Sequence, residues 1–415
     1  MDKRQILIAL LSLVITMFGG LYYYNYMYYS FPYIENAVTT ITHSGKPVNS
    51  VGPIGPIITF DQSLISTDVP NIQELFGDVE YTTNIYKTNL GTKIAITTNS
   101  KPVSNNKNFV LWLNGNNDTF YHPFVAKELI AKGYDIIAVD FPNFGFAQTD
   151  AEEYNYYNTW PQIRSYIDAI LFKEVWRKQP MIRDFDPTIV GYGHSTGGLL
   201  ILNYQLDRPK TFSKIVLNSP LMDWYSSNEN IPSKVLPFLA LFAPKQDLTG
   251  FLGTFNNTSL SQLVNDIRPF GYTKEYIKSV LDILEKTPTL DETTTYQLND
   301  NTYRKARYLI CEHYFNRYFL VAQDLMSRVR KAKIDTPSLV LQSDRQSLAV
   351  SFDEESENYG MDPGDNALDI KEIDLFTNQV LTNRQHYFIP DGTHDVFYSK
   401  KPSRELAISY FVNFI

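Results

Sequence analysis

The residues of this chain that could do chemistry begin with Gly193-His194-Ser195-Thr196-Gly197, a Gly-x-Ser-x-Gly pentapeptide. The apolar run Thr188–Tyr192 precedes it, and an apolar, helix-forming stretch follows from Thr196. Strand, sharp turn and helix in that order make a nucleophile elbow, which exposes a serine hydroxyl at the carboxyl end of a sheet. Small residues on both sides let neighbouring backbone pass closely, and the opening helix favours negative charge developing nearby. A serine hydroxyl is a weak nucleophile and needs a base. The chain has six histidines, and only His313, His386 and His394 lie downstream, where the order serine, acid, histidine requires the base. His313 falls inside an expected helix and His386 at the start of an expected strand. His394 sits in Pro390-Asp391-Gly392-Thr393-His394-Asp395, between the last strand and the last helix, so a loop can carry its imidazole over the elbow.

The acid has three candidates. Asp344 directly follows the strand Pro337–Gln342, and Asp223 ends the strand region Lys214–Asn218. Asp365 lies in Pro363-Gly364-Asp365-Asn366-Ala367-Leu368-Asp369, ahead of a helix that Asp369 is placed to cap. The acidic stretch 351–361 separates Asp344 from Asp365. Oxyanion donors are expected from the backbone N–H of Thr196, next to the nucleophile, and from Leu113-Asn114-Gly115-Asn116-Asn117, where Asn116 is the choice.

These groups must be held by a scaffold. Glu80 to Thr98 reads as two antiparallel strands around Asn89-Leu90-Gly91. Beyond it, strands alternate with helices: Phe109–Leu113, helix Pro123–Lys132, Ile136–Asp140, helix Asn158–Arg177, Thr188–Tyr192, helix Thr196–Leu206 and Lys214–Asn218. Such alternation predicts an α/β domain whose mostly parallel sheet is covered on both faces. From Leu221 the pattern turns helical, with an apolar run at Val235–Phe242 and a periodic helix over Arg307–Val329. Alternation resumes at Pro337–Gln342 and continues through a helix from Asp369, the strand Tyr387–Ile389 and a helix over Ser403–Phe414. The expected organisation is a core over 76–220 and 336–415 with a helical cap over 221–335. Residues 31–75, turn-rich at Gly52-Pro53 and Gly55-Pro56, form a linker or wrap.

Residues 1–30 are different. An uncharged apolar run from Ile6 to Tyr24 spans roughly 28 Å as a helix, close to the thickness of a hydrocarbon core. Lys3 and Arg4 precede it, and a tyrosine-rich belt, Tyr22 to Tyr29, closes it. This predicts a single-pass anchor with its N-terminus cytoplasmic and the remaining chain across the membrane. A cleaved signal peptide with a secreted product is the alternative, although Met17 and Phe18 suit the cleavage position poorly.

Composition narrows the partners. Of 415 residues, 37 are Lys or Arg and 45 Asp or Glu, giving a net charge of −8 without a basic block, which argues against nucleic acid. Cys311 is the only cysteine, so an internal disulfide and a paired-thiolate zinc site are excluded. The chemistry drawn above needs no metal or cofactor.

Four segments carry a resemblance: Val110–Asn117, Gly133–Gly145, Val190–Gly198 and Pro337 to the C-terminus. In these the chain resembles α/β-hydrolases of the monoacylglycerol lipase, lysophospholipase and serine-aminopeptidase-like branch, over about residues 80 to 415. The resemblance implies the α/β-hydrolase fold with an inserted cap. It places the nucleophile on Ser195, the base on His394, the oxyanion donors on Asn116 and Thr196, and the acid on Asp365. Two positions depart from the family pattern: Asn114-Gly115 stands where the family has His-Gly, and Gly145-Phe146-Ala147 where it has Gly-x-Ser. The implied activity is hydrolysis of a lipid or other small ester, with lipid monoesters foremost. An amide or peptide hydrolase with the same triad, or a non-catalytic tethered scaffold, are the alternatives.

Overall fold

The computed structural model describes residues 40–41, 47–48, 57–61, 81–103, 107–116, 119–120, 122–144, 147, 159–176, 186–223, 316–346, 364–365, 367–399 and 401–415. The expected anchor over 1–30, most of the wrap, and residues 224–315 of the expected cap, including His313 and Val235–Phe242, lie outside the described residues. Among the described residues, no helix is long and apolar enough to cross a membrane.

Nine strands make one sheet: β1 (Phe60–Asp61), β2 (Tyr81–Thr88), β3 (Lys93–Asn99), β4 (Asn108–Leu113), β5 (Asp135–Asp140), β6 (Thr188–His194), β7 (Lys214–Asn218), β8 (Ser338–Ser343) and β9 (Arg384–Ile389). Their spatial order is β9-β8-β7-β6-β4-β5-β3-β2-β1. From β5 to β9 every neighbouring pair is parallel, while β3, β2 and β1 add antiparallel strands at one edge. The turn joining β2 to β3 places Gly91 at φ 79°, a conformation glycine adopts without a Cβ clash. This is the expected mostly parallel α/β sheet.

The inner strands are continuously apolar because both faces are covered. Along β4, Phe109, Leu111 and Leu113 point into one core, and Val110 and Trp112 into the other. The first core lies beneath α2 (Trp160–Leu171), α3 (Thr196–Asp207), α4 (Asn316–Arg330) and α5 (Ile370–Val380); the second is closed by α1 (Pro123–Ala131) and α6 (Lys401–Phe414). Helix α2 is shorter than expected. Phe172–Trp176 widens into a π turn that buries Val175 and leaves Phe172 exposed.

Helix α4 refines the domain reading. The sequence assigned it to the cap, yet Val321, Ala322, Leu325, Met326 and Val329 join the core beneath α3. Its polar side is tied down as well. Arg328 donates to Asp207 at 2.5 Å and to Asn203 at 3.1 Å, while Asp207 also accepts from Arg164 and Trp160, each at 2.8 Å. Helices α2, α3 and α4 thus share one buried carboxylate, and α4 belongs to the layer over the sheet.

Candidate active site

The chain reverses its winding between β4 and β6, and ligands of open parallel sheets collect beyond the carboxyl ends of such strands. Every expected site residue in the structure lies there. Ser195 follows β6, Asn116 follows β4, Asp365 follows β8 and His394 follows β9.

The elbow is dictated by what can fit. Ser195 has φ 50° and ψ −117°, a strained backbone for a residue with a side chain, and such strain costs about 1–3 kcal/mol. Hydrogen bonds hold it there. The Ser195 N–H donates to the Asn218 carbonyl at 2.9 Å, and the Ser195 carbonyl accepts from Gly198 at 3.1 Å and Leu221 at 2.9 Å. A Cβ on Gly193 would lie 2.4 Å from the Gly197 and Gly198 backbone, and one on Gly197 would lie 2.1 Å from the Leu113 carbonyl oxygen. The motif glycines are therefore required by backbone packed on backbone, and the loop after β4 is pressed directly against the start of α3.

That loop carries the expected oxyanion donor. Gly115 sits so close to the elbow that a Cβ there would be 2.9 Å from His194 Nδ1 and 3.3 Å from Ser195 Cβ. Thr196, the other expected donor, is buried and begins α3, where backbone amides point out of the helix end. Asn114, one of the departures from the family pattern, fastens the loop to the sheet. Its Oδ1 accepts from Trp112 Nε1 at 3.0 Å, and its Nδ2 donates to Asp140 Oδ1 at 3.2 Å. Asp140 is held in turn by Thr119 Oγ1 at 2.7 Å.

The structure brings His394 and Asp365 together. His394 Nδ1 lies 2.9 Å from Asp365 Oδ2; the His394 side chain is 9% exposed and that of Asp365 fully buried. The other oxygen, Asp365 Oδ1, accepts from the backbone N–H groups of Ala367 and Leu368, both at 2.9 Å. A carboxylate so occupied accepts the Nδ1 proton, which leaves Nε2 of His394 with its lone pair free to act as a base. The His394 ring lies 4.9 Å, centroid to centroid, from the ring of His194, the residue next to Ser195.

The other acid candidates are engaged elsewhere. Asp344 is partly exposed, accepts from the Asp391 backbone N–H at 3.2 Å and faces Arg345 at 3.4 Å. Asp223 pairs with Arg330 at 2.7 Å. Gln346 and Asp365 form a parallel bridge, so the chain that leaves the sheet after Gln346 returns beside it at Asp365. Asp369 caps α5 as its position suggested, accepting from Lys371 and Glu372. His386 is not near this pair; it contacts Asp374 at 3.0 Å on β9, where burial, reinforced by Arg384, pushes its pKa down to about 4.

Sequence reasoning passed over one group of residues. Asp395, His122, His194 and Asn218 form a buried polar cluster immediately behind the elbow. The adjacency of Asp395 to the base was the only signal for it. Among the described residues, no group of His, Cys, Asp or Glu is arranged to hold a metal ion.

Fold and elbow together define an α/β-hydrolase. A family profile described as serine aminopeptidase, S33, matches residues 104–351, and the chain belongs to that family of hydrolases. The match takes in Ser195, Thr196 and Asn116 and stops before Asp365 and His394. No curated protein matches the chain. Among solved structures, a soluble variant of monoglyceride lipase from Saccharomyces cerevisiae is similar at 14% identity, with 81% of this chain and 95% of that chain covered and a TM-score of 0.51. A monoacylglycerol lipase from Paleococcus ferrophilus gives 15% identity, coverage of 78% and 99%, and a TM-score of 0.46. An esterase from Exiguobacterium antarcticum gives 13%, 80% and 99%, and 0.45.

Proposed function

We propose that this chain hydrolyses carboxylic esters, lipid monoesters foremost, through a Ser195–His394–Asp365 triad, and that it does so tethered to a membrane. The observation that carries the reading is the 2.9 Å His394–Asp365 pair, whose imidazole lies 4.9 Å, centroid to centroid, from the ring of His194, with the next residue, Ser195, held at φ 50° on a strand-to-helix turn. In this reading Ser195 Oγ attacks the ester carbonyl while His394 Nε2 takes its proton. The N–H groups of Asn116 and Thr196 receive the oxyanion, an interaction worth about 10²–10³ in rate per donor elsewhere. His394 then protonates the leaving alcohol. Water, deprotonated by the same imidazole, releases the acid from the acyl-enzyme. Asp365 keeps the ring in the tautomer that both halves need.

The preference for lipid monoesters draws on the fold shared with a monoglyceride lipase and on the apolar run Val235–Phe242. The tether is residues 6–24, with Lys3 and Arg4 on the cytoplasmic side and the hydrolase domain opposite. Asn114 weakens the case for a mere scaffold, because the substituted position still holds the oxyanion loop in place.

The test is fluorophosphonate labelling of the purified full-length chain, followed by turnover of p-nitrophenyl esters of graded length. Labelling and ester turnover that both disappear in Ser195→Ala are the expected result, and the graded series reads out the acyl length the site takes. A chain that takes no label, or one whose label survives Ser195→Ala, overturns the reading.

A further inference from the structure

Behind the elbow lies a carboxylate that the triad does not use. Asp395 is fully buried, and its Oδ2 lies 2.8 Å from His122 Nε2 and 3.9 Å from His194 Nδ1. Its Oδ1 accepts from Asn218 Nδ2 at 2.6 Å and from the Phe397 N–H at 3.0 Å. Asn218 is shared. Its Nδ2 also reaches the Tyr192 hydroxyl at 3.0 Å, and its Oδ1 accepts from the Val396 N–H at 3.2 Å. Thr393 closes the loop, its hydroxyl donating to the Asp395 carbonyl at 2.6 Å. His122 is itself fully buried and packs on the Trp112 ring at 5.0 Å.

Three of the members are chain neighbours of, or bonded to, residues of the proposed machinery, and His122 joins them through Asp395. Asp395 follows His394, and His194 precedes Ser195. The Asn218 carbonyl accepts the Ser195 N–H. Gly115, in the expected oxyanion loop, faces the same His194 ring, which a Cβ there would meet at 2.9 Å. One carboxylate therefore links the ends of β6, β7 and β9 and the start of α1 at the point where three loops must meet. Burial alone would raise its pKa, but the charges of His194 and His122, with hydrogen bonds from His122 and Asn218, hold it below the usual carboxylate range.

We propose that Asp395 is a positioning residue for the hydrolytic reaction: anchored by His122, His194 and Asn218, it fixes the backbone that presents His394 against the backbone that presents Ser195. This rests on the triad reading above. Asp365 sets the orientation of the imidazole ring, and Asp395 sets where the ring's backbone stands.

The experiment is a double-mutant cycle on the full-length chain, assayed with p-nitrophenyl butyrate. Asp395→Asn keeps an oxygen for Asn218 and Phe397 but loses the charge that faces His122. We expect kcat to fall by about tenfold or more, since displacement of reacting groups by an ångström costs up to about a hundredfold, while KM changes by less than about twofold. In a His394→Ala background the same substitution should change the residual rate by less than about twofold, because its effect runs through that imidazole. His122→Gln, which removes the imidazole 2.8 Å from Asp395 and its packing on Trp112, should lose about threefold in the parent and nothing in the His394→Ala background, and it carries the cycle if Asp395→Asn does not fold. A kcat within about twofold of the parent for the folded variants, or losses that multiply in the double variant, overturns the inference while Ser195→Ala still abolishes turnover. Turnover that survives Ser195→Ala overturns the triad reading and this inference with it.

Discussion

Replacing Asp365 by Asn separates what its two oxygens do. Oδ1 accepts two backbone amides at 2.9 Å, and an asparagine oxygen can keep both, so the loop ahead of α5 should hold its shape. The Asn amide must then face His394 Nδ1 as a donor. That forces the imidazole proton onto Nε2, the nitrogen that has to receive the serine proton. In a well-studied serine protease this swap of tautomer costs on the order of 10⁴ in kcat, equivalent to about 5.4 kcal/mol. We expect a loss of that order here, with a melting temperature near that of the parent. Asp365→Ala should differ in kind. It strands two buried amides, costing about 1–3 kcal/mol each, so stability and turnover fall together. Asp344→Asn is the control: it perturbs a partly exposed contact with Arg345 worth at most about 1 kcal/mol, and turnover should stay unchanged. The assay is kcat on p-nitrophenyl butyrate alongside the second-order rate of fluorophosphonate labelling and a thermal melt. Asp365→Asn within about tenfold of the parent rate, or Asp344→Asn as the more damaged enzyme, would refute the assignment of Asp365 as acid.

Gly197→Ala should damage the fold as well as the site. The added methyl would meet the Leu113 and Asn114 carbonyl oxygens at 2.1 and 2.6 Å, and backbone cannot swing aside as a side chain can. A loss of about 3 kcal/mol is expected, or about 3–4 °C in Tm by the per-residue unfolding entropy of a chain this long, and a thermal melt matching the parent would contradict the packing described. The His386 pKa makes a pH prediction. Burial and Arg384 lower it to about 4 against the pull of Asp374, whereas the unfolded chain protonates this histidine near 6.5. Between those values the unfolded state binds more protons, so stability falls as pH drops from about 6.5 through 4, and above pH 7 this residue contributes no slope. His386→Gln should flatten Tm against pH in that window without changing kcat. An unchanged slope would show that His386 is not the group responsible.

What the sequence revealed, and what it hid, follows from the range of the forces involved. Strands buried on both faces must be apolar throughout, so Phe109–Leu113, Ile136–Asp140 and Lys214–Asn218 stood out almost to the residue. Strand β9 is an edge, and only Tyr387–Ile389 read as strand because Arg384, Gln385 and His386 face partly outward. The apolar periodicity of α4 announces a buried face but not the surface it covers, so from sequence alone it reads as part of the cap. Asp365 was chosen on resemblance rather than spacing. The long excursion after Gln346 hides in sequence what the Gln346–Asp365 bridge restores in space. Asp395 and His122 lie still further apart in the chain, and no local pattern couples a histidine before α1 to an aspartate beyond β9.

If His394 is the base, as proposed, the two carboxylates near it have separate tasks. An imidazole on a loop has freedom of two kinds, in its own torsions and in the position of the backbone beneath it. Asp365 acts on the first, through Nδ1 and with an oxygen immobilised by two amides. In the proposal above Asp395 acts on the second, through bonds that run to Asn218 and thence to the Ser195 amide. Ser195 itself rests at φ 50°, about 1–3 kcal/mol above a relaxed backbone, and would drift from it without those ties. Buried polar bonds of this sort contribute little net stability, because the groups were solvated before folding. They are costly to leave unsatisfied, however, and the backbone arrangement seen here satisfies Asp395, Asn218 and the Ser195 amide together. Geometry is what such a cluster specifies, and a reaction that needs an oxygen, a ring and a carboxylate from three distant loops depends on geometry above all.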